Sequence, residues 1–138
     1  MTANIDGDQM AYAVEPIPFV TTFRFDWPKP PLSLNQRLHH MAKAKIVSQL
    51  RSEMHARARH IPDLGRCEVR LTWFVNTKAR RDDENPVPTL KALCDGLVDA
   101  EVVEDDTNEF MVKHMPEIRY VHKSIAPAHF EFEVRQIG

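Results

Sequence analysis

Cysteine is scarce in this chain. Cys67 and Cys94 stand far apart, with no CxxC, and none of the seven histidines pairs with them at zinc spacing. That argues against a zinc module and against a disulfide scaffold, and free thiols are expected. Long apolar runs are missing as well. No stretch approaches the roughly 18 residues a membrane span needs, so no membrane contact is expected. The opening MTANIDGDQM carries two aspartates and no basic or apolar leader pattern, so a cytoplasmic location is expected. There is no internal repeat and no low-complexity segment. Net charge is only −2, which at first argues against a nucleic-acid binder.

The 138 residues are about one domain's worth, with 43 % hydrophobic and 28 % charged residues, values typical of globular chains. Residues 1–16 are polar without periodicity and are expected to form a flexible tail, leaving 17–138 as a single domain. The small net charge hides an asymmetry. Residues 1–81 hold 13 Lys and Arg against 7 acidic residues, and residues 82–138 hold 5 against 13. Such a chain can present a basic face and an acidic pocket together, although ordinary solvated surface would give the same counts.

Phe19–Phe25, rich in aromatic and β-branched residues, predicts a strand. Trp27 and the prolines at 28, 30 and 31 then force an extended loop, with Trp27 expected in the core. From about Asn35 to His60 the pattern is helical. Leu38, Ala42, Ile46, Leu50 and Met54 recur every fourth residue, with Met41 and Val47 widening the stripe, and Pro62 ends the run. Glu68–Val75 alternates as a strand. A second helix follows, with Asn85 as N-cap and Pro86 as first helical residue. Its face of Leu90, Leu93, Cys94, Leu97 and Val98 puts Cys94 in the core. Phe110–Val121 and His129–Ile137 read as strands. The order β-α-β-α-β-β predicts an α/β (α+β) fold: one mixed sheet of about four strands, with two main helices mostly on one face.

The stretch richest in chemistry runs from Arg81 to Asp106. Asp82 and Glu84 are two apart, so in an extended segment they point the same way. Asp106 lies beyond the second helix, where the chain can return beside them. Three converging carboxylates repel unless a divalent cation joins them, and hard oxygens suit Mg²⁺ or Mn²⁺. Lys91 borders the apolar face, about 100° from Leu90, and could stabilise charge developing on a phosphate. The helix start at Asn85–Val87 offers a favourable dipole for an anion. The alternative is a solvated acidic turn, with Lys91 and Asp95 forming only a surface ion pair.

These residues resemble the RusA-like family of Holliday junction resolvases. That family carries Arg-Asp-x-Asp-Asn, then Lys-x-x-x-Asp-(Gly/Ala)-Leu, then an Asp-Asp pair ten residues after the helical Asp. Here stand Arg81-Asp82-Asp83-Glu84-Asn85, Lys91-Ala92-Leu93-Cys94-Asp95-Gly96-Leu97 and Asp105-Asp106. Pro30-Pro31-Leu32-Ser33-Leu34-Asn35-Gln36-Arg37 is similar to the family's Pro-Pro-(Ser)-Asn-Arg loop. The resemblance runs from about Phe19 to the C-terminus. It implies a homodimeric endonuclease of DNA recombination and repair, often of prophage origin, that resolves four-way junctions by paired Mg²⁺-dependent nicks. Asp82, Glu84 and Asp106 would then bind the metal, with Asp105 as an additional acidic contributor and Lys91 as the catalytic lysine. Mn²⁺ is expected to substitute for Mg²⁺.

Two departures stand out. Glu84 replaces the usual Asp, leaving either Glu84 or Asp83 as second ligand. Lys91 also follows Asn85 by six positions, where some members have three; the resemblance to phage-type members covers this longer form.

Between Leu34 and Arg81 there are 11 Lys and Arg and 3 acidic residues. Asn35, Arg37, Lys43 and Lys45, with Lys78, Arg80 and Arg81, are the candidate phosphate contacts. A two-fold dimer would present two such faces to a two-fold junction. The histidines read as surface or loop residues, with His39 or His40 as possible DNA contacts. Neither the residues nor the resemblance separates a junction resolvase from a fork or flap nuclease, or from a DNA-binding protein that has lost catalysis.

Overall fold

The computed structural model describes residues 17–138. The tail expected over residues 1–16 lies outside them. Seven elements succeed one another: β1 (Val20–Phe25), α1 (His40–Ala58), β2 (Cys67–Val75), α2 (Val87–Asp99), β3 (Met111–Lys113), β4 (Glu117–Tyr120) and β5 (His129–Gln136). They make the expected mixed α+β fold, one five-stranded mixed sheet with two helices.

Strand β2 is the axis of the sheet. On one side it pairs antiparallel with β5, which pairs antiparallel with β1. On the other side β3 and β4 both run parallel to it, one after the other. A parallel neighbour needs a crossover rather than a hairpin, and α2 lies within that crossover.

The strand expected over Phe110–Val121 is therefore two strands. Cys67–Val69 pair with Met111–Lys113, and Thr72–Val75 pair with Glu117–Tyr120. Between these ladders the three residues His114–Pro116 stand opposite only Arg70 and Leu71. One extra residue breaks the ladder as a bulge does, and Pro116 has no N–H to offer it.

Alternation along β2 sends Cys67, Val69, Leu71, Trp73 and Val75 to the buried side. Phe130, Phe132 and Val134 of β5 and Phe23 and Phe25 of β1 join them. Leu90, Leu93, Cys94 and Leu97 of α2, with Met54 and Ala58 of α1, close this core. Trp27 packs against it, stacked on Phe25 at 4.3 Å and edge-to-face with Phe130 at 5.6 Å. Both cysteines are free and buried, and burial pushes the Cys67 thiol up to about 11.

Helix α1 starts later than its periodicity suggests, at His40 rather than near Asn35. Residues before it are held in turns: Ser33 Oγ donates to Asn35 Oδ1 at 2.7 Å, and Gln36 N–H donates to the Ser33 carbonyl. His39 caps the helix, its Nδ1 accepting from the Met41 N–H at 3.2 Å. The apolar stripe is buried only in the later turns, at Leu50, Met54 and Ala58. Leu38 and Met41 are exposed, because nothing among the described residues covers the first turn.

The proline-rich loop is pinned to α2 by one side chain. Buried Thr89 donates its hydroxyl to the Leu32 carbonyl at 2.8 Å and accepts from the Leu32 N–H at 3.1 Å. Two histidines depart from the surface reading. His129 is buried in β5, stacked on Phe74, with its ring nitrogens at the Pro127 carbonyl and Glu131. His114 is half-buried and bonded to Glu68 at 2.7 Å. Partners at the ring nitrogens offset the cost of burying a polar ring.

Where the helices cross, Gly96 of α2 lies against α1. An added Cβ would sit 2.6 Å from Met54 Cβ and 2.9 Å from the Arg51 carbonyl. Gly96→Ala is expected to lower stability by about 1–3 kcal/mol through this overpacking. Thermal unfolding measures it, and an unchanged Tm would show that the helices separate freely.

Candidate functional site

The segment before α2 winds up gradually. Asp82 Oδ1 accepts from the Glu84 N–H at 3.0 Å, the Asp82 carbonyl from Asn85 N–H, and the Glu84 carbonyl from Val87 N–H. Pro86, not Asn85, occupies the N-cap position, and Pro88 lies in the first turn. Asn85 serves the preceding turn instead, and its carbonyl accepts from the Leu34 N–H at 3.2 Å. This links the 81–85 motif to the proline-rich loop, two segments the sequence separates by about fifty positions.

At its other end α2 turns back sharply. Glu101 has φ 63°, a left-handed conformation uncommon outside glycine. Glu101 N–H donates to the Val98 carbonyl and Val102 N–H to the Leu97 carbonyl. This is the Schellman pattern that ends a helix, and it buries Val102 and Val103. The chain then returns along α2 and brings Asp106 to Lys91.

Lys91 Nζ donates to Asp106 Oδ2 at 2.7 Å and to Asp95 Oδ1 at 2.9 Å. The surface pair of Lys91 and Asp95 therefore exists, and Asp106 extends it. A second lysine arrives from β3: Lys113 Nζ donates to the Asp106 carbonyl and lies 3.4 Å from Oδ2. The side chain of Asp106 is 17 % exposed and that of Lys91 59 %, so solvent still screens the pair. The Lys91 ammonium, with Lys113 beside it, holds the Asp106 carboxyl below the usual range against the opposing effect of burial. Asp106 and then Asp95 raise Lys91. Asp105 is exposed, and its Oδ1 accepts from the Asp106 N–H at 2.8 Å.

The expected three-carboxylate cluster does not form. Among the described residues, no three His, Cys, Asp or Glu side chains gather closely enough to hold a metal ion. Asp82 and Asp83 line a separate open cleft of about 920 Å³ with Arg80, Arg81, Glu117 and Arg119. Lys91 and Lys113 border a smaller cavity of about 240 Å³ with Leu90 and Met115. The two adjoin at Pro116, which lines both. A divalent cation does not fit this arrangement: Asp82 and Asp83 lie in the larger cleft, exposed Glu84 and Asp106 line neither cleft, and Asp106 Oδ2 already faces two ammonium groups.

The candidate DNA contacts fall into two groups. Asn35, Arg37, Lys43 and Lys45 are exposed in and before α1. Lys43 borders a groove with His40, Arg51 and His55, and Arg51 is held there by a two-point pair with Asp99. The second group comes after β2. Lys78 Nζ stands 4.9 Å from the Tyr120 ring, and Arg80 lines the larger cleft. Arg81 is engaged by its own loop, donating to the Thr77 and Ala79 carbonyls and to Thr77 Oγ1, with its guanidinium 5.4 Å from the Trp73 ring. Sequence reasoning missed Thr89 and Lys113. A single lysine closing a three-residue strand leaves no signature in spacing.

No family model matches the chain. A curated protein of Xylella fastidiosa (strain Temecula1 / ATCC 700964), described as an uncharacterized protein, is 30 % identical over 86 residues. The match covers 57 % of this chain and 56 % of the relative, so the chain spans little more than half the length of that protein.

The lysine contacts make stability depend on acid pH. A carboxyl whose folded pKa lies below its unfolded value contributes stability above the ordinary aspartate range and loses it as pH falls through the folded value. The stability gap between the natural chain and Asp106→Asn should therefore be widest near about pH 6 and shrink below about pH 4. Urea unfolding across that range measures it; a gap independent of pH would mean that the pairs contribute nothing.

Proposed function

We propose that this chain is a structure-specific DNA endonuclease of the RusA-like type, nicking four-way junctions as a homodimer with Mg²⁺. One observation supports the reading most: Lys91 and Asp106, fifteen positions apart, meet at 2.7 Å. They are the lysine and final acidic residue of the motif series, and the 81–85 turn lies at the start of the same helix. An ammonium has three donors. Two of those on Lys91 serve Asp106 and Asp95, and the third is available to a phosphate oxygen. There it would stabilise charge on the phosphodiester, while the exposed lysines and arginines near α1 and after β2 hold the backbone by charge. The reading requires a divalent cation to activate water, and the division of Asp82 from Asp106 leaves no cluster of three carboxylates to hold one among the described residues.

That division favours a second reading, a protein that binds branched DNA without cutting it. A synthetic four-way junction, a flap and a linear duplex, each with Mg²⁺, Mn²⁺ or EDTA, separate the two. Paired nicks in the junction alone, lost in EDTA, are expected. Cutting of flap and junction alike would mean a broader nuclease; binding without cutting in either metal would leave the silent binder. With cleavage in hand, Asp82→Asn should abolish it and Lys91→Ala should slow it about 10²-fold or more, both with little loss of junction affinity. Cleavage by Lys91→Ala at the natural rate would remove the lysine from the chemistry.

A further inference from the structure

Lys91 and Lys113 border a small cavity that the phosphate chemistry does not use. It lies between the first turns of α2 and the bulged His114–Pro116, and its volume is about 240 Å³. Buried Leu90 and Pro116 form its floor with half-buried Val87, while Met115 and the two lysines stand at its rim. Among the described residues no acidic side chain lines it. Its one other polar residue, His114, already holds Glu68 through Nε2 at 2.7 Å. An apolar floor under a cationic rim suits a neutral, flat group carried on an anionic chain. The volume is below the roughly 300–1,000 Å³ of ordinary small-molecule pockets, so one base enters and a whole nucleotide does not.

We propose that this slot receives one unstacked nucleobase of a branched DNA strand, a base next to the phosphate that Lys91 holds. The slot deepens the branched-DNA reading, on which this inference rests, because it supplies a part that tells a branch from a linear duplex. Drawing a base out of an intact helix costs both its pairing and its stacking. At a branch point the neighbouring bases have already lost part of each, so a base enters there at less cost. Lysines that only hold phosphates do not make that distinction, since phosphate contacts position DNA without reading it.

Two features prepare the slot for a ring. Met115 is 52 % exposed, an apolar side chain left in water at the mouth of an apolar cavity. Its flexible thioether can fold over an aromatic face and regain burial there. Pro116 lines both the slot and the larger cleft, where Arg80 and Arg119 stand. A strand whose base enters on one side of Pro116 therefore finds guanidinium groups for its next phosphates on the other. Val87, Leu90, Met115 and Pro116 are binding residues in this account, not catalytic ones.

The test uses the full chain in EDTA, where no strand is cut, and four-way junctions carrying 2-aminopurine at single positions on either side of the branch. The fluorescence of this base rises when it leaves the stack. Binding of the natural chain should brighten one position next to the branch, and no position in a linear duplex. Val87→Phe fills the slot; it should abolish the brightening and lower the ratio of junction to linear-duplex affinity about tenfold. A junction with an abasic sugar at the bright position should show the same loss with the natural chain, and Val87→Phe should then cost nothing more. If Val87→Phe fails to fold by circular dichroism, Met115→Ser at the exposed rim takes its place. Binding without brightening at any position, brightening that survives the variant, or a loss by the variant that persists on the abasic junction would each overturn the proposal. No binding of either DNA would overturn it together with the branched-DNA reading. The nuclease reading is judged separately with Mg²⁺. Brightening that the variant abolishes, without cleavage by the natural chain, upholds the slot and sinks the nuclease; paired nicks without brightening do the reverse.

Discussion

Strand β2 is bound on both edges, and the two edges make different demands. Its antiparallel bond to β5 fixes the face it turns to the helices, since a slip of one residue would send every side chain to the other face. Its parallel bond to β3 and β4 demands that the chain leave one end of the strand and re-enter at the other. Helix α2 carries that return. The motif residues therefore sit where the chain leaves β2, along α2, and where it turns back toward β3. Their meeting is a consequence of the crossover.

Two local devices bring the return to its mark. The left-handed Glu101 reverses the chain after α2 and buries Val102 and Val103, so the acidic turn lies back along the helix. The extra residue at His114–Pro116 then divides the edge ladder. Lys113 is left at the end of a short strand, with its side chain at Asp106. Electrostatics does the rest. Asp106 is half-buried, and ammonium groups compensate its carboxylate there.

Much of the architecture was legible in the residues. Period-two alternation marked β2 and β5, and the apolar face of α2 was clear enough to place Cys94 in the core. Sequence was less informative where the outcome depends on neighbours. The apolar stripe of α1 is buried only in its later turns, since burial needs an opposing surface that periodicity does not contain. The segment Phe110–Val121 has the composition of one strand, but pairing against β2 divides it. His129 resembled the exposed histidines in sequence, and partners on β5 and the preceding loop make its burial tolerable.

The site shows the same division more sharply. From the residues alone came the candidates: the order Asp82, Glu84, Lys91, Asp106, the helix that carries Lys91, and the contrast between a basic first part and an acidic second. These arise from local chemistry and spacing. Only the tertiary structure decided which of them meet. Lys91 joins Asp95 and Asp106, Asp82 stays in a neighbouring cleft, and Lys113 enters unannounced from the sheet edge. The physical reason is that a crossover brings residues together through strand register and helix length, and neither is set by the residues that meet.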